Sequence, residues 1–267
     1  MGKAIVVTSG KGGVGKTTSS ANIGTALALL EKKVVLMDLD IGLRNLDVVL
    51  GLDNRILFDI VDVAEGRARL HQALIKDKRF NEYLYLLPAA QNTDKSALVP
   101  EQVKAIVDEL KEEFDYVIID CPAGIEQGFM NAIAGADMAI IVTTPEISAV
   151  RDADRVVGLL EQNPLLQQPK LIINRIRRQM MEDGQAMDVD EITRHLSIDL
   201  LGIIVDDDAV ISTSNHGEPI VLDSKNPAGL GYRNVARRLL GETVPLMTIK
   251  QPQKGFWKKM GSWFKKD

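Results

Sequence analysis

The chain of 267 residues is poor in cysteine and in aromatic residues, and it has no long apolar run. Its single cysteine, Cys121, excludes both an internal disulfide framework and a four-cysteine metal or iron–sulfur site within one chain. No segment approaches the roughly 18 apolar residues of a membrane span, and the N-terminal apolar stretch is too short for a signal peptide. We therefore expect a protein of the reducing cytoplasm that has no transmembrane segment.

The net charge of −5 argues against a protein that binds nucleic acid over its whole surface. Apolar residues make up 45% of the chain, which is enough to bury one large core. The simplest interpretation is one α/β domain.

Short β-branched runs alternate along the chain with longer segments that have helical spacing. This alternation predicts a doubly wound, mostly parallel sheet with helices on both faces, and ligands on such sheets bind at the carboxyl ends of the strands. We predict one domain over residues 1–245, a polar tether over 246–253 and a separate segment over 254–267. The predicted strands are 4–8, 33–37, 83–87, 116–119, 138–142, 171–173 and 201–205, and the predicted helices are 17–30, 100–113, 147–160 and 227–240.

A glycine-rich loop, GKGGVGKT, follows the first predicted strand and opens the first predicted helix. This sequence in this context is typical of a phosphate-binding loop, in which backbone N–H groups surround the phosphates of a nucleotide. Lys16 is predicted to reach the β and γ oxygens, and the Thr17 hydroxyl to bind Mg²⁺. The alternative is a glycine turn that only joins strand and helix. The predicted nucleotide contacts in this region are Gly10, Lys11, Gly12, Gly13, Val14, Gly15, Lys16, Thr17 and Thr18.

Two acidic segments also fall where predicted strands end, DLDIG from Asp38 and DCPAG from Asp120. Asp120 is predicted to hold Mg²⁺ together with Thr17, and either Asp38 or Asp40 to position or deprotonate the attacking water. We favour Asp40 for the water. The alternative for each aspartate is a simple cap of the following helix. With Lys16, Asp40 and Asp120 as catalytic residues, the sequence predicts hydrolysis of a nucleoside triphosphate.

Lys11 is a second lysine inside the loop, and with it the chain resembles the deviant Walker A ATPases. The resemblance implies an ATP-dependent homodimer in which Lys11 of one subunit contacts the phosphates held by the other, so that hydrolysis is slow in a single chain. A cation at that position would stabilise the charge that develops on the phosphate oxygens. Taken on its own, Lys11 is also consistent with an exposed loop lysine that has no role.

Several longer strings are similar to the members of this family that act in placing the division septum. The resemblance implies ATP as the nucleotide and recruitment of the division inhibitor MinC. It also implies that Asn174 reads the adenine edge, whereas residues 205–208 depart from the family's proline-containing adenine loop, so no second adenine contact is assigned. The strings are SGKGGVGKTT, DIGLRNLDVVLGL, HQALIKDKR, DCPAGIEQG, TTPEISAVRDADR and SNHGEP.

The helix predicted over 147–160 opens with charged positions of alternating sign, and Ser148 is suited to cap it. A solvated helix face explains this pattern equally well. The resemblance implies instead a surface beside the dimer seam that receives MinC. The partner residues it implies are Arg44, Asn45, Arg151, Asp152 and Asp154.

The last segment is rich in both lysine and aromatic residues. Five lysines against one aspartate give residues 254–267 a side-chain charge of +4, which leaves −9 for the rest of the chain. At helical spacing the apolar side chains gather on one face, an arrangement that suits the interface of an anionic bilayer, whereas an apolar stripe that docks on its own domain is the alternative. The predicted membrane residues are Phe256, Trp257, Lys258, Lys259, Met260, Trp263 and Phe264.

ATP-dependent dimerisation would join two weakly binding copies of this segment, so that membrane binding would depend on which nucleotide is bound. We therefore expect a cytoplasmic protein that is reversibly peripheral on the inner face of the cell membrane. A ParA-type ATPase that moves DNA cargo and a nucleotide-gated membrane scaffold with negligible turnover remain alternatives, although the negative charge outside the tail makes DNA an unlikely partner. The sequence leaves open whether MinE or another localising partner stimulates hydrolysis.

Overall fold

The computed structural model describes residues 1–164 and 166–247, and the chain beyond residue 247 lies outside the described residues. In this part of the chain the strands are β1 Lys3–Thr8, β2 Val34–Asp38, β3 Ile75–Lys76, β4 Leu84–Leu87, β5 Tyr116–Asp120, β6 Met138–Thr143, β7 Gln167–Ile176 and β8 Asp199–Val205. The α-helices are α1 Lys16–Leu29, α2 Leu46–Leu50, α3 Ile60–Ala64, α4 Leu70–Ala73, α5 Pro100–Glu113, α6 Gln127–Ile133, α7 Ile147–Glu161, α8 Arg178–Glu182, α9 Val189–Leu196, α10 Ala209–Asn215 and α11 Pro227–Leu239.

The strands form one eight-stranded sheet in the order β3-β4-β2-β5-β1-β6-β7-β8. Every neighbouring pair is parallel except β3 and β4, which are antiparallel. The strands are buried because helices cover both faces of the sheet, and two hydrophobic clusters fill the space between sheet and helices. The predicted doubly wound fold is therefore confirmed.

Chain connections diverge on the two sides of β1, which pairs with β5 on one side and with β6 on the other. In an open parallel sheet, such a reversal of strand order leaves a crevice beyond the carboxyl ends of the strands. The loop after β1 and the acidic ends of β2 and β5 all lie at this crevice. Asp38 and Asp120 are partners in the register of β2 and β5, which brings the two acidic segments side by side.

Two details differ from the sequence prediction. The short elements β3, α2, α3, α4, α6, α8, α9 and α10 were not predicted, because two to eight residues are too few to show a clear period. The predicted cap by Ser148 is wrong: α7 begins at Ile147 with Glu146 at the N-cap position, so Ser148 lies inside the first turn. No helix among the described residues is long and apolar enough to cross a membrane.

Candidate active site

The loop between β1 and α1 has the backbone geometry that a phosphate-binding loop needs. Gly13 and Gly15 have φ of 77° and 98°, in the left-handed region that residues with a Cβ rarely adopt. Gly15 is the N-cap residue of α1, so the first backbone N–H groups of this helix point into the loop. A helix N-terminus with free N–H groups favours a bound anion.

Lys16 is nearly buried inside this loop, with 8% of its surface exposed. Its Nζ donates a hydrogen bond to Oγ of Ser9 at 3.1 Å, and Ser9 Oγ in turn donates to the carbonyl oxygen of Lys11 at 2.7 Å. The ammonium group therefore donates to a neutral hydroxyl. A phosphate oxygen would be a stronger, charge-assisted acceptor for the same group.

The two buried carboxylates Asp38 and Asp120 lie beside the loop, and each is 1% exposed. Asp120 Oδ1 accepts a hydrogen bond from Ser20 Oγ at 2.8 Å, and its carboxylate is also hydrogen-bonded to Thr17. Burial raises the pKa of both carboxyl groups above the ordinary value, and the negative charge of Asp120 raises the pKa of Asp38 further. The hydrogen bonds from Thr17 and Ser20 and the charge of Lys16 oppose the shift at Asp120.

Asp38 and Asp40 differ in what their side chains contact. Asp38 Oδ1 accepts from the backbone N–H of Asp40 at 2.9 Å, and Asp38 Oδ2 accepts from the N–H of Leu46 at 3.2 Å. Asp38 thus organises the segment between β2 and α2. Asp40 is half-buried at the start of that segment, and its charge is close enough to raise the pKa of Asp120.

The donor set fits a magnesium ion bound mainly through nucleotide phosphates. Among the described residues, no group of three or more His, Cys, Asp or Glu side chains could hold a metal ion by itself. Mg²⁺ is usually bound by one or two protein oxygens together with water and phosphate oxygens, rather than by an all-protein cage. The Thr17 hydroxyl and the Asp120 carboxylate, hydrogen-bonded to each other, provide such a pair. A divalent cation would also offset the charge of the buried aspartates.

A cavity of about 310 Å³ lies next to the loop. Asn174, which is 5% exposed, forms part of its wall and donates from Nδ2 to the Val14 carbonyl oxygen at 2.8 Å. This contact requires glycine at position 15, since a Cβ there would lie 2.3 Å from Asn174 Nδ2. The rest of the wall comes from Thr18, Arg175, Arg177, residues 205–208, α10 and Tyr232.

Lys11 points away from the loop and contacts the beginning of α7 in the same chain. Its Nζ donates to Ser148 Oγ at 3.1 Å and lies 3.9 Å from a carboxylate oxygen of Glu146. The lysine side chain is 43% exposed. The structure thus separates the two lysines of the loop, since Lys16 faces inward and Lys11 faces the surface.

Comparison with known proteins identifies the family. A protein-family profile described as an AAA domain matches residues 2–173. The septum site-determining protein MinD of Bacillus subtilis is 66% identical over 264 residues, which cover 99% of this chain and 98% of that protein. The MinD protein of Synechocystis is 54% identical over 248 residues, or 92% of each chain. The chain belongs to the MinD family.

Solved MinD structures have the same fold. The structure of a MinC:MinD cell division protein complex from Aquifex aeolicus matches with a TM-score of 0.85 at 50% identity, covering 92% of this chain and 98% of that one. MinD from Pyrococcus horikoshii, solved with Mg-ADP, matches with a TM-score of 0.81 at 30% identity over 90% and 96% of the two chains. A ParA family ATPase from Chlorobium tepidum, at 22% identity, shares the fold alone. The family resemblance seen in the sequence is confirmed.

The residues predicted for partner contacts lie in two places beside the phosphate-binding loop. Arg151 and Asp154 are exposed on α7, and Asp152 between them is half-buried. α7 also packs tightly on the loop, since a Cβ at Gly10 would lie 2.1 Å from the Asp152 carbonyl oxygen. The outer face of this helix therefore lies one layer away from the phosphate-binding loop.

The second place is the segment that follows β2. Asn45 is exposed and donates from Nδ2 to the Leu43 carbonyl oxygen at 2.6 Å. Arg44 is turned inward, with a side chain 13% exposed and its Nε 2.7 Å from the carboxylate of Asp47. Of these two predicted partner residues, Asn45 has an exposed side chain, whereas the side chain of Arg44 is mostly buried.

Several residues of this site were missed by sequence reasoning. Ser9 directly precedes the loop and Ser20 lies one helical turn after Lys16. These positions could have indicated that both hydroxyl groups contact the site. Tyr232 comes from α11, far along the chain, and its buried hydroxyl forms a 3.2 Å hydrogen bond with Ser19. Burial raises the pKa of Tyr232 to about 12. No local pattern indicates that α11 reaches the cavity.

Cys121 is a small buried residue that directly follows β5. It is 1% exposed, its Sγ accepts a hydrogen bond from Thr8 at 3.6 Å, and burial raises its pKa to about 12. Residues 248–253 of the predicted tether and the membrane residues of 254–267 lie outside the described residues. The described chain ends with residues 241–247, where Arg238 holds the carbonyl oxygens of Val244 and Pro245 at 3.0 and 2.7 Å.

Proposed function

We propose that this chain is a membrane-associated ATPase of division-site placement, which dimerises with ATP, binds the membrane through residues 254–267 and recruits MinC. The observation that carries the proposal is the convergence of Lys16, Asp120 and Asp40 on a glycine loop at the switch point of the sheet. Membership of the MinD family supports it.

The nucleotide is proposed to bind with its phosphates in the loop and its base in the adjacent cavity. Backbone N–H groups at the start of α1 and the Lys16 ammonium would hold the phosphate oxygens. Asn174 would read the adenine edge, because its amide group can both donate and accept. The complex of a Pyrococcus relative with Mg-ADP supports this assignment at the level of nucleotide and metal.

Mg²⁺, held by Thr17 and Asp120, would neutralise charge on the β and γ phosphate oxygens. Asp40 would orient a water molecule and take its proton as the oxygen–phosphorus bond forms. The bond between the γ phosphorus and the bridging oxygen then breaks, which releases ADP and phosphate. Lys16 would stabilise the charge on the transferring group, and Asp38 would hold the Asp40 segment in place.

Dimerisation would complete the site through the partner subunit's Lys11. The exposed contacts of Lys11 with α7 support this role, because an ion pair at the surface contributes little and is easily exchanged. A single chain would then hydrolyse ATP slowly. Two copies of the basic, aromatic segment 254–267, joined in one dimer, would bind an anionic bilayer much more strongly than one copy.

The MinC contact is proposed for the outer face of α7, with Asn45 and Arg44 in the segment after β2 as further contact residues. The MinC:MinD complex of an Aquifex relative supports MinC as the partner. Asp152→Lys should abolish the capture of MinC while ATP binding is retained. Glu109→Lys, at an exposed position of α5, is the matched control and should leave both unchanged. Undiminished capture by the Asp152 variant would contradict the contact residues.

The decisive experiment is co-sedimentation with vesicles containing anionic phospholipid, in ATP and in ADP, with released phosphate counted in the same tubes. Wild type is expected to pellet with ATP and not with ADP. Lys16→Gln should stay in the supernatant and release no phosphate, whereas the surface control Lys32→Gln should behave as wild type. Removal of residues 254–267 should abolish pelleting but not ATP binding.

Other outcomes point elsewhere. Pelleting that ignores the nucleotide would reduce the tail to a constitutive anchor. Pelleting with ATP but without phosphate release would favour a nucleotide-gated scaffold. A salt-sensitive shift of DNA by the ATP-bound protein would favour a ParA-type function instead.

A further inference from the structure

Three of the longer sequence strings meet at one side chain, Arg79, and two of them, HQALIKDKR and SNHGEP, have no role so far. Its Nη1 donates to the carbonyl oxygen of Gly217 at 2.9 Å, and its Nη2 donates to the carbonyl oxygen of Leu50 at 2.5 Å. The guanidinium is oriented by Asp77, a carboxylate 1% exposed, which accepts from Nη2 at 2.6 Å and from Nε at 3.0 and 3.1 Å. A planar, five-donor group is suited to bridging fixed acceptors in this way.

The two backbone segments that Arg79 joins also touch each other through glycines. Gly51 and Gly217 have φ of 65° and 71°. A Cβ at Gly217 would lie 2.4 Å from the Cα of Gly51, so neither segment could approach so closely with a side chain at this crossing. Gly51 ends α2, and Gly217 follows α10. The crossing and Arg79 therefore fasten α10 to α2.

α2 is the fixed side of this junction. Leu46 and Leu50 are fully buried, and the N–H of Leu46 is bound by the Asp38 carboxylate at the end of β2. α10 is the side that needs support, because this helix has no fully buried residue. Its N-terminus is held by Asp207, which accepts from Ala209 N–H at 2.8 Å. Its C-terminus is held at Gly217.

α10 is also a wall of the cavity next to the phosphate-binding loop. Val210, Ile211, Ser214 and Asn215 all line that cavity. The turn that Arg79 grips is bonded directly to this wall, since the N–H of Gly217 donates to the Ser214 carbonyl oxygen at 3.0 Å. The Oγ of Ser214 is buried and has no hydrogen-bond partner among the described residues. Such a hydroxyl is a candidate to bond the ligand that fills the cavity.

We infer that Arg79, held by Asp77, is a positioning residue for the nucleotide: it fixes α10 against α2 so that α10 forms the wall of the base cavity. The inference rests on the proposed function, because the cavity is taken as the site of the nucleoside. Arg79 does not line the cavity itself. Its loss should therefore weaken binding of the base and leave the phosphate loop and the water-activating aspartate in place.

The test compares ATP with tripolyphosphate, which has the phosphates but no base. Arg79→Gln should weaken ATP binding in calorimetry and raise KM about tenfold, with kcat at saturating ATP and the affinity for tripolyphosphate unchanged. Arg79→Lys, which keeps the charge but cannot bridge both carbonyl groups, should fall between wild type and Arg79→Gln. Arg55→Gln, at a nearby exposed position, should match wild type. The Tm of each variant establishes that it is folded at the assay temperature.

A double-mutant cycle adds a readout that a purely structural role would not change. Ile211→Ala removes a side chain of the cavity wall and should weaken ATP binding less in Arg79→Gln, or in Arg79→Lys if the Gln variant does not fold, than in wild type. Additive effects, equal losses for ATP and tripolyphosphate, or a fall in kcat alone would overturn the inference while the proposed function stands. A wild type that fails to bind ATP would overturn both.

Discussion

Lys11 Nζ lies 3.1 Å from Ser148 Oγ, so the second lysine of the loop is bound to the helix that follows β6 in its own chain. The contact is largely exposed, and the additional Glu146 carboxylate is 3.9 Å away. Exposed pairs of this kind contribute about 0–1 kcal/mol. Lys11 can therefore leave α7 at small cost when a better partner, such as a phosphate held by a second subunit, is available.

The first prediction compares substitutions of the two residues in this contact, Lys11 and Ser148. Lys11→Ala should abolish the ATP-dependent dimer and lower turnover at least about 100-fold, because the developing charge loses its cation. Ser148→Ala should change the dimer dissociation constant by no more than about fivefold, since only a weak contact within one chain is lost. Sedimentation velocity in ATP and in ADP measures both effects. A Ser148→Ala protein that no longer dimerises would show that the serine itself belongs to the seam.

The second prediction concerns the two aspartates after β2. Asp40→Asn should keep ATP binding and lower turnover by about 10²–10⁴-fold, as expected when a general base is lost. Asp38→Asn should also lower turnover, but together with thermal stability, because Oδ1 and Oδ2 accept from different N–H groups and the amide replaces one of these oxygens by an NH2 group that cannot accept. Phosphate release and Tm, measured on the same preparations, distinguish the two. Normal turnover in Asp40→Asn with none in Asp38→Asn would reverse the assigned roles.

The sequence was sufficient for the sheet and for the loop because both are encoded in contiguous stretches. Six of the seven predicted strands and the long helices, such as Pro100–Glu113, have a clear period or a continuous apolar run, and the observed bounds agree within a few residues. The loop residues are contiguous as well, so their spacing alone indicates their chemistry. β7 is the exception, since it extends over Gln167–Ile176 where only residues 171–173 form an apolar run.

Long-range contacts could not be predicted in the same way. Tyr232 reaches the cavity from α11, and Arg79 joins segments that are 29 and 138 residues away in the chain. Arg44 shows the opposite limit: the resemblance implies a partner residue at the surface, yet its side chain turns inward to Asp47. The contact partner of such a side chain depends on which carboxylates and carbonyl groups the fold brings near it. No local sequence pattern indicates these partners.

The third prediction is a pH dependence of stability without nucleotide. The pKa of Asp38 is raised by burial and by Asp120, so the folded protein keeps this proton over a pH range in which the unfolded chain has lost it. Stability should therefore fall as pH rises from the unfolded value of about 3.9 toward the folded pKa, which is raised to about 8. Asp38→Asn cannot ionise and should lose this dependence.

Urea unfolding of wild type and Asp38→Asn at intervals from pH 5 to pH 8 measures the effect. The difference in free energy of unfolding, variant minus wild type, should increase with pH. Addition of Mg²⁺ and nucleotide should flatten the wild-type curve, because a cation near the buried carboxylates favours their charged form. Parallel curves for the two proteins would show that Asp38 ionises in the folded state as readily as in the unfolded chain.

The fourth prediction compares two glycines that both involve α7. A Cβ at Gly10 would lie 2.1 Å from the carbonyl oxygen of Asp152 and 2.3 Å from its carbonyl carbon, and both belong to backbone that cannot rotate away. Gly10→Ala must therefore push the phosphate-binding loop and α7 apart. We expect loss of ATP binding and destabilisation of about 1–3 kcal/mol, the usual cost of overpacking.

Gly158 is the control. This residue lies inside α7 and has nothing within 4 Å of its added Cβ, so Gly158→Ala should bind ATP normally and gain up to about 1 kcal/mol from its helix propensity. Calorimetric titration with ATP and urea unfolding of the two variants test both statements, and normal ATP affinity in Gly10→Ala would mean that the loop does not depend on its contact with α7.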